Sequence, residues 1–190
     1  IGCEATDLGI LPDVQEKIAN GLSHAAIDHD MLLTSGGVSA GEEDHVKAAV
    51  ESLGAINFWR FAIKPGRPIA LGQVQNSVFI GLPGNPVAAM VTFMMIARPI
   101  IKKLSGAANS PVHRFKVPAN FKYKKKRGRR EWIRASLAKN TAGTLIANKF
   151  PREGSGILCS MVESDGLVEL GENIEIVEQD DLVDFLCFSE

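Results

Sequence analysis

Three glycine-bearing loops, SGGVSAG, KPGRP and LPGNP, each follow a short apolar run, and this repetition constrains the first half of the chain. The runs are Asp30–Thr34, Ile56–Ile63 and Val78–Leu82. Between them, apolar residues recur at helical spacing. Val14, Ile18, Leu22 and Ala25 lie within Asp13–Ile27, and Val46, Ala49, Val50 and Leu53 within Glu43–Leu53. A further helix is expected after PGNP, over Val87–Leu104. Cys3–Ile10 reads as a strand and turn, and Ile69–Val74 with Val78–Leu82 as a hairpin about Gln75 and Asn76. Strand-like and helix-like periods in alternation predict an α/β fold, a three-layer domain with a mostly parallel sheet.

The pattern changes at SGAANSP, Ser105–Pro111. Beyond it come short alternating segments at hairpin spacing: Phe115–Pro118, Trp132–Leu137, Thr144–Asn148, Ile157–Met161, Gly166–Leu170, Ile174–Val177 and Val183–Phe188. These predict a small all-β, barrel-like domain. The expected organisation is residues 1–107 as the α/β domain and 108–190 as the β domain. A formal net charge of -1 argues against a surface built for nucleic acid. The longest apolar stretch is interrupted by Thr92, Arg98 and Pro99, which argues against a membrane span. Cys3, Cys159 and Cys187 are widely spaced and read as reduced thiols of a cytoplasmic protein.

Ligands of open α/β sheets bind beyond the carboxyl ends of the strands, where these loops should lie. Gly36 and Gly37 let backbone N–H groups turn toward an anion, and Ser35 and Ser39 add hydroxyls. Pro83, Gly84 and Asn85 form the third loop, and Gly66 with Arg67 the second. Period two along NFWRFAIK puts Arg60 and Lys64 on one strand face, a positive wall beside the loops. Glu42, Glu43 and Asp44 at one helix start, and Asp13 at another, suit the helix dipole or a cap. The alternative is a divalent cation that bridges carboxylates and phosphate oxygens, which would make acids and anion cradle partners.

The motifs TSGGVSAGEEDHVK, GAINFWRFAIKPGRPIALG and VFIGLPGNPVAAMVTF resemble the molybdopterin molybdenumtransferase family, the bacterial MoeA and gephyrin E-domain group. The resemblance runs from about Gly2 to Val177 and continues in the β domain through GRREWIRASL and the EGSG turn. It implies molybdenum cofactor biosynthesis, with Mg²⁺-dependent insertion of molybdate into adenylylated molybdopterin and release of AMP. By position it implies functional acids at Asp13 and Asp44, the latter a Mg²⁺ or substrate contact. It implies a basic pair at Arg60 and Lys64 with Arg67 nearby, Ser39 in the glycine loop, and Arg134 with Ser155 for molybdate. It also implies a cytoplasmic homodimer in the full-length form, acting on small-molecule substrates among other molybdenum cofactor biosynthesis proteins.

Two departures from the family pattern stand out. Arg60 occupies a position where many relatives carry lysine, and the chain starts inside the α/β domain, after the family's opening strand and helix. It therefore reads as the C-terminal portion of a larger enzyme. A non-catalytic molybdopterin-binding or scaffold module is the second reading, and a relative of molybdopterin adenylyltransferase the third. The run KYKKKRGRRE reads as a solvated hairpin tip turning at Gly128 rather than a nucleic-acid patch. With an acid beside an anion loop, Asp44→Ala in the full-length protein should lose turnover more than substrate binding. Steady-state kinetics set against equilibrium binding measures this, and unchanged turnover would remove Asp44 from the mechanism.

Overall fold

In a computed structural model, which describes residues 1–38, 45–108 and 112–188, the expected periodicities become defined elements. In chain order they are α1 (Gln15–Ala25), β1 (Met31–Ser35), α2 (His45–Leu53), β2 (Gly54–Arg60), β3 (Ile63–Lys64), β4 (Pro68–Val74) and β5 (Ser77–Leu82). One continuous helical stretch follows, made of α3 (Pro86–Thr92), a π-helical turn (Phe93–Ala97) and α4 (Arg98–Leu104). Then come β6 (Phe115–Pro118), β7 (Tyr123–Lys124), β8 (Arg130–Lys139), β9 (Leu145–Lys149), α5 (Cys159–Val162), β10 (Gly166–Leu170), β11 (Ile176–Val177) and β12 (Leu182–Cys187). The chain divides into two compact units, Ile1–Phe61 with Gly66–Ser110, and Ala62–Pro65 with Pro111–Glu190.

The first unit has the strand order β1-β5-β4-β2. β1 runs parallel to β5, but β5 with β4 and β4 with β2 are antiparallel. The α/β class is as expected, while the described sheet is mixed rather than mostly parallel. The cause is local: the turn at Gln75 and Asn76, with Gln75 at φ 51°, joins β4 directly to β5. Strands linked that tightly must run antiparallel. Period two then sorts the side chains onto two faces. Leu32, Ala70, Val74 and Phe79 pack with Ile18 and Leu22 of α1 and with Val46, Ala49 and Val50 of α2. Ile69, Ile80 and Leu82 pack on the other face with Phe93, Ile96, Ala97 and Ile100. Helices therefore cover both faces of the sheet. Each large apolar side chain buried this way contributes about 1.5–3 kcal/mol relative to exposure.

Several local expectations are corrected. Cys3–Ile10 forms no strand; these residues are exposed, and the Gly9 N–H donates to Asp7 Oδ1 at 2.8 Å, a local bond that competes with extended pairing. α1 starts at Gln15 with Val14 at its N-cap and no side-chain capping bond, so Asp13 is not the cap it was expected to be. The strand expected over Ile56–Ile63 is cut short. Register shifts at Ile56/Phe58 and Phe58/Arg60 bring its ladder to an end at Arg60, opposite Pro68, which has no N–H to give. The Ala62 carbonyl instead accepts the Arg130 N–H at 2.9 Å, and β3 pairs parallel with the start of β8. Arg60 and Lys64, expected on one strand face, thus belong to different units.

In the second unit the sheet order is β3-β8-β10-β12-β6, with β9 also pairing β8 and a separate β11-β7 ribbon. Val117, Phe121, Ile133, Ala135, Val168, Leu170, Val183 and Phe185 form its core. The ends of the ring meet at one isolated bridge, Ala119 with Ala147, and at the Asn120 N–H to Ala147 O bond of 2.8 Å. The unit is barrel-like without a ladder that closes it. Ile157–Met161, expected as a strand, carries the helical turn α5 instead, where Ser160 Oγ donates to Ile157 O at 2.6 Å. Among the described residues, no helix is long and apolar enough to cross a membrane.

Gly66 shows how tightly the first unit is packed around one of the glycine loops. It sits at φ +99°, and a Cβ there would lie 2.1 Å from Thr92 Cγ2. Gly66→Ala should cost on the order of 2–4 kcal/mol from backbone strain plus overpacking. Gly143→Ala, at φ +78° with open space around it, should cost about 1 kcal/mol. Thr92→Ser removes the offending methyl, so urea denaturation of the double variant should recover part of the Gly66→Ala loss.

Candidate functional site

The parallel pair β1 and β5 ends side by side, so the loops that follow it meet. Gly36 N–H donates to Leu82 O at 3.0 Å, and Ser35 Oγ donates to Pro83 O at 3.3 Å. A Cβ on Gly84 would lie 3.5 Å from Gly36 Cα, which shows how closely the two backbones approach. Gly36 and Gly37 have φ of 90° and 69°, the left-handed region that glycine enters without strain. At Gly37 there is also a packing demand, since a Cβ would meet Val46 Cγ2 at 2.5 Å. Asn85 is the exposed N-cap residue of α3 and makes no side-chain capping bond. At the head of the glycine loop, Thr34 Oγ1 is buried without a hydrogen-bond partner among the described residues. A buried hydroxyl left over at a loop of this kind is a natural place for a ligand oxygen.

Other expected site residues are dispersed. Ser39 and Asp44 lie outside the described residues. Asp13, Arg60 and Arg67 are exposed, and the Arg67 carbonyl accepts the Phe61 N–H at 3.1 Å. Among the described residues, no group of three or more His, Cys, Asp or Glu side chains could hold a metal ion. The expected Mg²⁺ therefore finds no ligand set there, and Asp44, its expected contact, lies outside the described residues.

The second unit gathers its charged groups more closely. Lys64 Nζ donates to the Tyr123 hydroxyl at 3.0 Å, and that hydroxyl donates to Glu131 Oε2 at 2.7 Å. Glu131 is 1% exposed, and its other oxygen accepts from Arg129 Nε at 2.9 Å. Glu153 Oε2 lies 3.6 Å from Lys64 Nζ, and its Oε1 lies 3.5 Å from Lys149 Nζ. Arg134, buried on β8, donates from Nη2 to Gly154 O at 3.0 Å and from Nε to Ser160 Oγ at 3.1 Å. Lys64, Lys149 and Arg134 thus all engage the segment Glu153–Ser160, and Ser155 follows the carbonyl that Arg134 holds. The hydroxyl that Arg134 bonds belongs to Ser160.

Electrostatics agree with this geometry. Burial would lower the Lys64 ammonium, but the Tyr123 hydrogen bond and the Glu131 and Glu153 carboxylates outweigh it and hold it above lysine's ordinary value. Burial, aided by donation to Glu131, pushes the Tyr123 phenol up, so it is a neutral donor at pH 7. Burial pulls the Arg134 guanidinium down, opposed by Glu153. An arginine begins so high that it stays charged. The result is a set of fixed cations suited to a tetrahedral oxyanion or a phosphate.

The basic run KYKKKRGRRE is compensated within the same unit. Lys122 pairs with Glu178 at 2.8 Å, Arg127 with Glu175 at 3.7 Å and Arg130 with Glu172 at 3.0 Å. The Lys125 ammonium is buried and donates to Ile174 O at 2.7 Å. The Gly128 N–H donates to Glu172 O at 2.8 Å, closing the tip. Sequence reasoning passed over Tyr123, Glu131, Lys149, Glu153 and Ser160. Two signals were available. Tyr123 is the chain's single tyrosine, set among cations, and Glu131 falls in period two with the core residues Ile133 and Ala135.

Comparison with known proteins bears on both units. Residues 1–103 match the family described as "Probable molybdopterin binding domain", and residues 116–188 match "MoeA C-terminal region (domain IV)". The molybdopterin molybdenumtransferase of Haemophilus influenzae is 39% identical over 185 residues, which is 92% of this chain and 46% of that protein. The molybdopterin molybdenumtransferase 2 of Mycobacterium tuberculosis is 32% identical over 159 residues, covering 80% of this chain and 38% of that one. A crystal structure of a MoeA molybdopterin biosynthesis protein from Pyrococcus horikoshii superposes with a TM-score of 0.77 at 24% identity, covering 96% of this chain and 43% of that chain. The chain thus spans about half the length of the Haemophilus relative, or less for the others. For Arg134, the geometry predicts that replacement by alanine costs about 1–3 kcal/mol, the range for leaving buried polar partners unmade. Chemical denaturation followed by Trp132 fluorescence, with limited proteolysis at the Glu153–Gly156 turn, checks both the loss and its location.

Proposed function

From the premise that the chain belongs to the molybdopterin molybdenumtransferase family, we propose that it carries part of the active site that inserts molybdenum into molybdopterin. In this reading the full-length protein takes adenylylated molybdopterin and molybdate. Water cleaves the phosphoric anhydride and AMP departs, while the two dithiolene sulfurs replace two oxo ligands of molybdate, which leave as water. The backbone N–H groups of Gly37 and Gly84 and the hydroxyl of Thr34 hold phosphate oxygens, at a turn fixed by the Gly36 and Ser35 hydrogen bonds. Lys64, Lys149 and Arg134 offer positive charge to an oxyanion near Ser155. Developing negative charge is then met by groups already in place, which is how such sites lower a barrier.

The observation that supports this most is the Lys64 side chain, 44% exposed, in the same compact unit as Arg134 and Ser155. An ammonium kept partly in solvent yet tied to a buried carboxylate is held in place with donors still open to a ligand. The match of the β unit to the MoeA C-terminal region favours this reading over an adenylyltransferase relative. A cytoplasmic homodimer, working alongside other cofactor biosynthesis proteins, completes the proposal.

Lys64→Ala in the full-length protein should weaken binding of the adenylylated substrate about tenfold or more at low salt, the scale of a lost charge-assisted hydrogen bond. Calorimetric titration at two ionic strengths reads this. Unchanged affinity at low salt would place the lysine outside the site.

A further inference from the structure

A lysine side chain carries about 2 kcal/mol of rotamer entropy, so an ammonium that must meet an anion gains from being held beforehand. The hydrogen-bond directions around Lys64 are unambiguous. An ionised carboxylate only accepts and an ammonium only donates, so the phenol between them must donate to Glu131 and accept from Lys64. The distances agree, at 2.7 Å and 3.0 Å respectively. Lys64 Nζ lies 3.7 Å from the nearer Glu131 oxygen, too far for a direct hydrogen bond, so the phenol is the link. Glu131 cannot swing to solvent: it is 1% exposed, and Arg129 holds its other oxygen. The remaining partner, Glu153, is 59% exposed and 3.6 Å away, a weak and screened restraint. Nor does the lysine stack on the ring. Its Nζ is 5.7 Å from the ring centroid but 3.0 Å from the hydroxyl, at the rim rather than over the face.

We propose that Tyr123, anchored through its hydroxyl to the buried carboxylate of Glu131, is a positioning residue that fixes the Lys64 ammonium for an oxyanion ligand. This rests on the reading of Lys64 as a ligand contact and extends it to a residue that touches no ligand. Phenylalanine at position 123 would take away the only hydrogen bond that the Lys64 ammonium makes among the described residues. It would leave the longer ion pairs to Glu131 at 3.7 Å and Glu153 at 3.6 Å, and remove one donor from the buried Glu131.

The test uses the intact protein labelled with ¹⁵N-lysine, with the Lys64 ammonium resonance assigned by its loss in Lys64→Arg. A hydrogen-bonded ammonium exchanges slowly enough to be seen. The signal should be present in the wild type, absent in Tyr123→Phe, and retained in Glu131→Gln, which keeps an acceptor for the phenol. Calorimetry with inorganic molybdate runs in parallel. Tyr123→Phe should weaken molybdate binding about 3- to 10-fold, and Lys64→Ala at least as much. A Lys64 signal unchanged by Tyr123→Phe overturns the positioning role, whatever molybdate does. A lost signal with unchanged molybdate affinity overturns it too. Unchanged affinity in Lys64→Ala overturns instead the ligand reading on which the proposal rests. If Tyr123→Phe does not fold, 3-fluorotyrosine at position 123 makes the hydroxyl a poorer acceptor. The Lys64 signal must then shift, and an unshifted signal sinks the proposal.

Discussion

A carboxylate taken out of water demands partners, and Glu131 supplies the constraint around which the second unit is organised. Desolvating a carboxylate costs several kcal/mol unless both oxygens are paired. Here Arg129 covers one oxygen, while Tyr123 covers the other with Lys64 just beyond. These residues lie on or beside β3, β7 and β8; β7 and β8 are neighbours in sequence, while Lys64 on β3 comes from 59 residues before Tyr123. One buried negative charge therefore sets where a half-exposed positive charge must stand. A packed aliphatic residue at position 131 could serve stability as well, but it would leave Lys64 without its anchor.

In the proposed reading, the two units offer an anion different chemistry. In the first, backbone does the work, because the close approach of Gly36 and Gly84 leaves peptide groups and small hydroxyls at the carboxyl ends of β1 and β5. In the second, side chains do it, as Lys64, Lys149 and Arg134 converge on the segment around Glu153 and Gly154. Oriented peptide N–H groups and charged side chains are both established ways to hold a tetrahedral anion.

Much of the fold was legible because it rests on periodicity. The helical face of Ile18, Leu22 and Ala25, the Gln75–Asn76 hairpin and most strands of the β unit follow from apolar spacing alone. What stayed hidden depends on pairing partners that no local pattern records. The alternation of NFWRFAIK continues straight through the point where the chain leaves one sheet for another, so Arg60 and Lys64 looked like neighbours on one face. The mixed sheet follows from the hairpin at Gln75 and Asn76, because so tight a link forces β4 antiparallel to β5. The anchoring of Lys64 was invisible for a related reason, since Tyr123 and Glu131 sat in a run read as solvent-facing charge. The single tyrosine in that run was the clue.

The excursion of Ala62–Pro65 has a consequence for how such a chain can be divided or inherited. Since β3 is lent to the second sheet from the middle of the first unit's sequence, the β unit is not a cassette. A cut in the Ser105–Pro111 linker would sever β8 from the edge partner that carries Lys64. Recombination at that seam would leave the first sheet whole but strip the β unit of its edge strand β3. The interleaving thus ties the inheritance of the glycine loops to that of the cationic cluster, because Lys64 is encoded with the first and folds with the second.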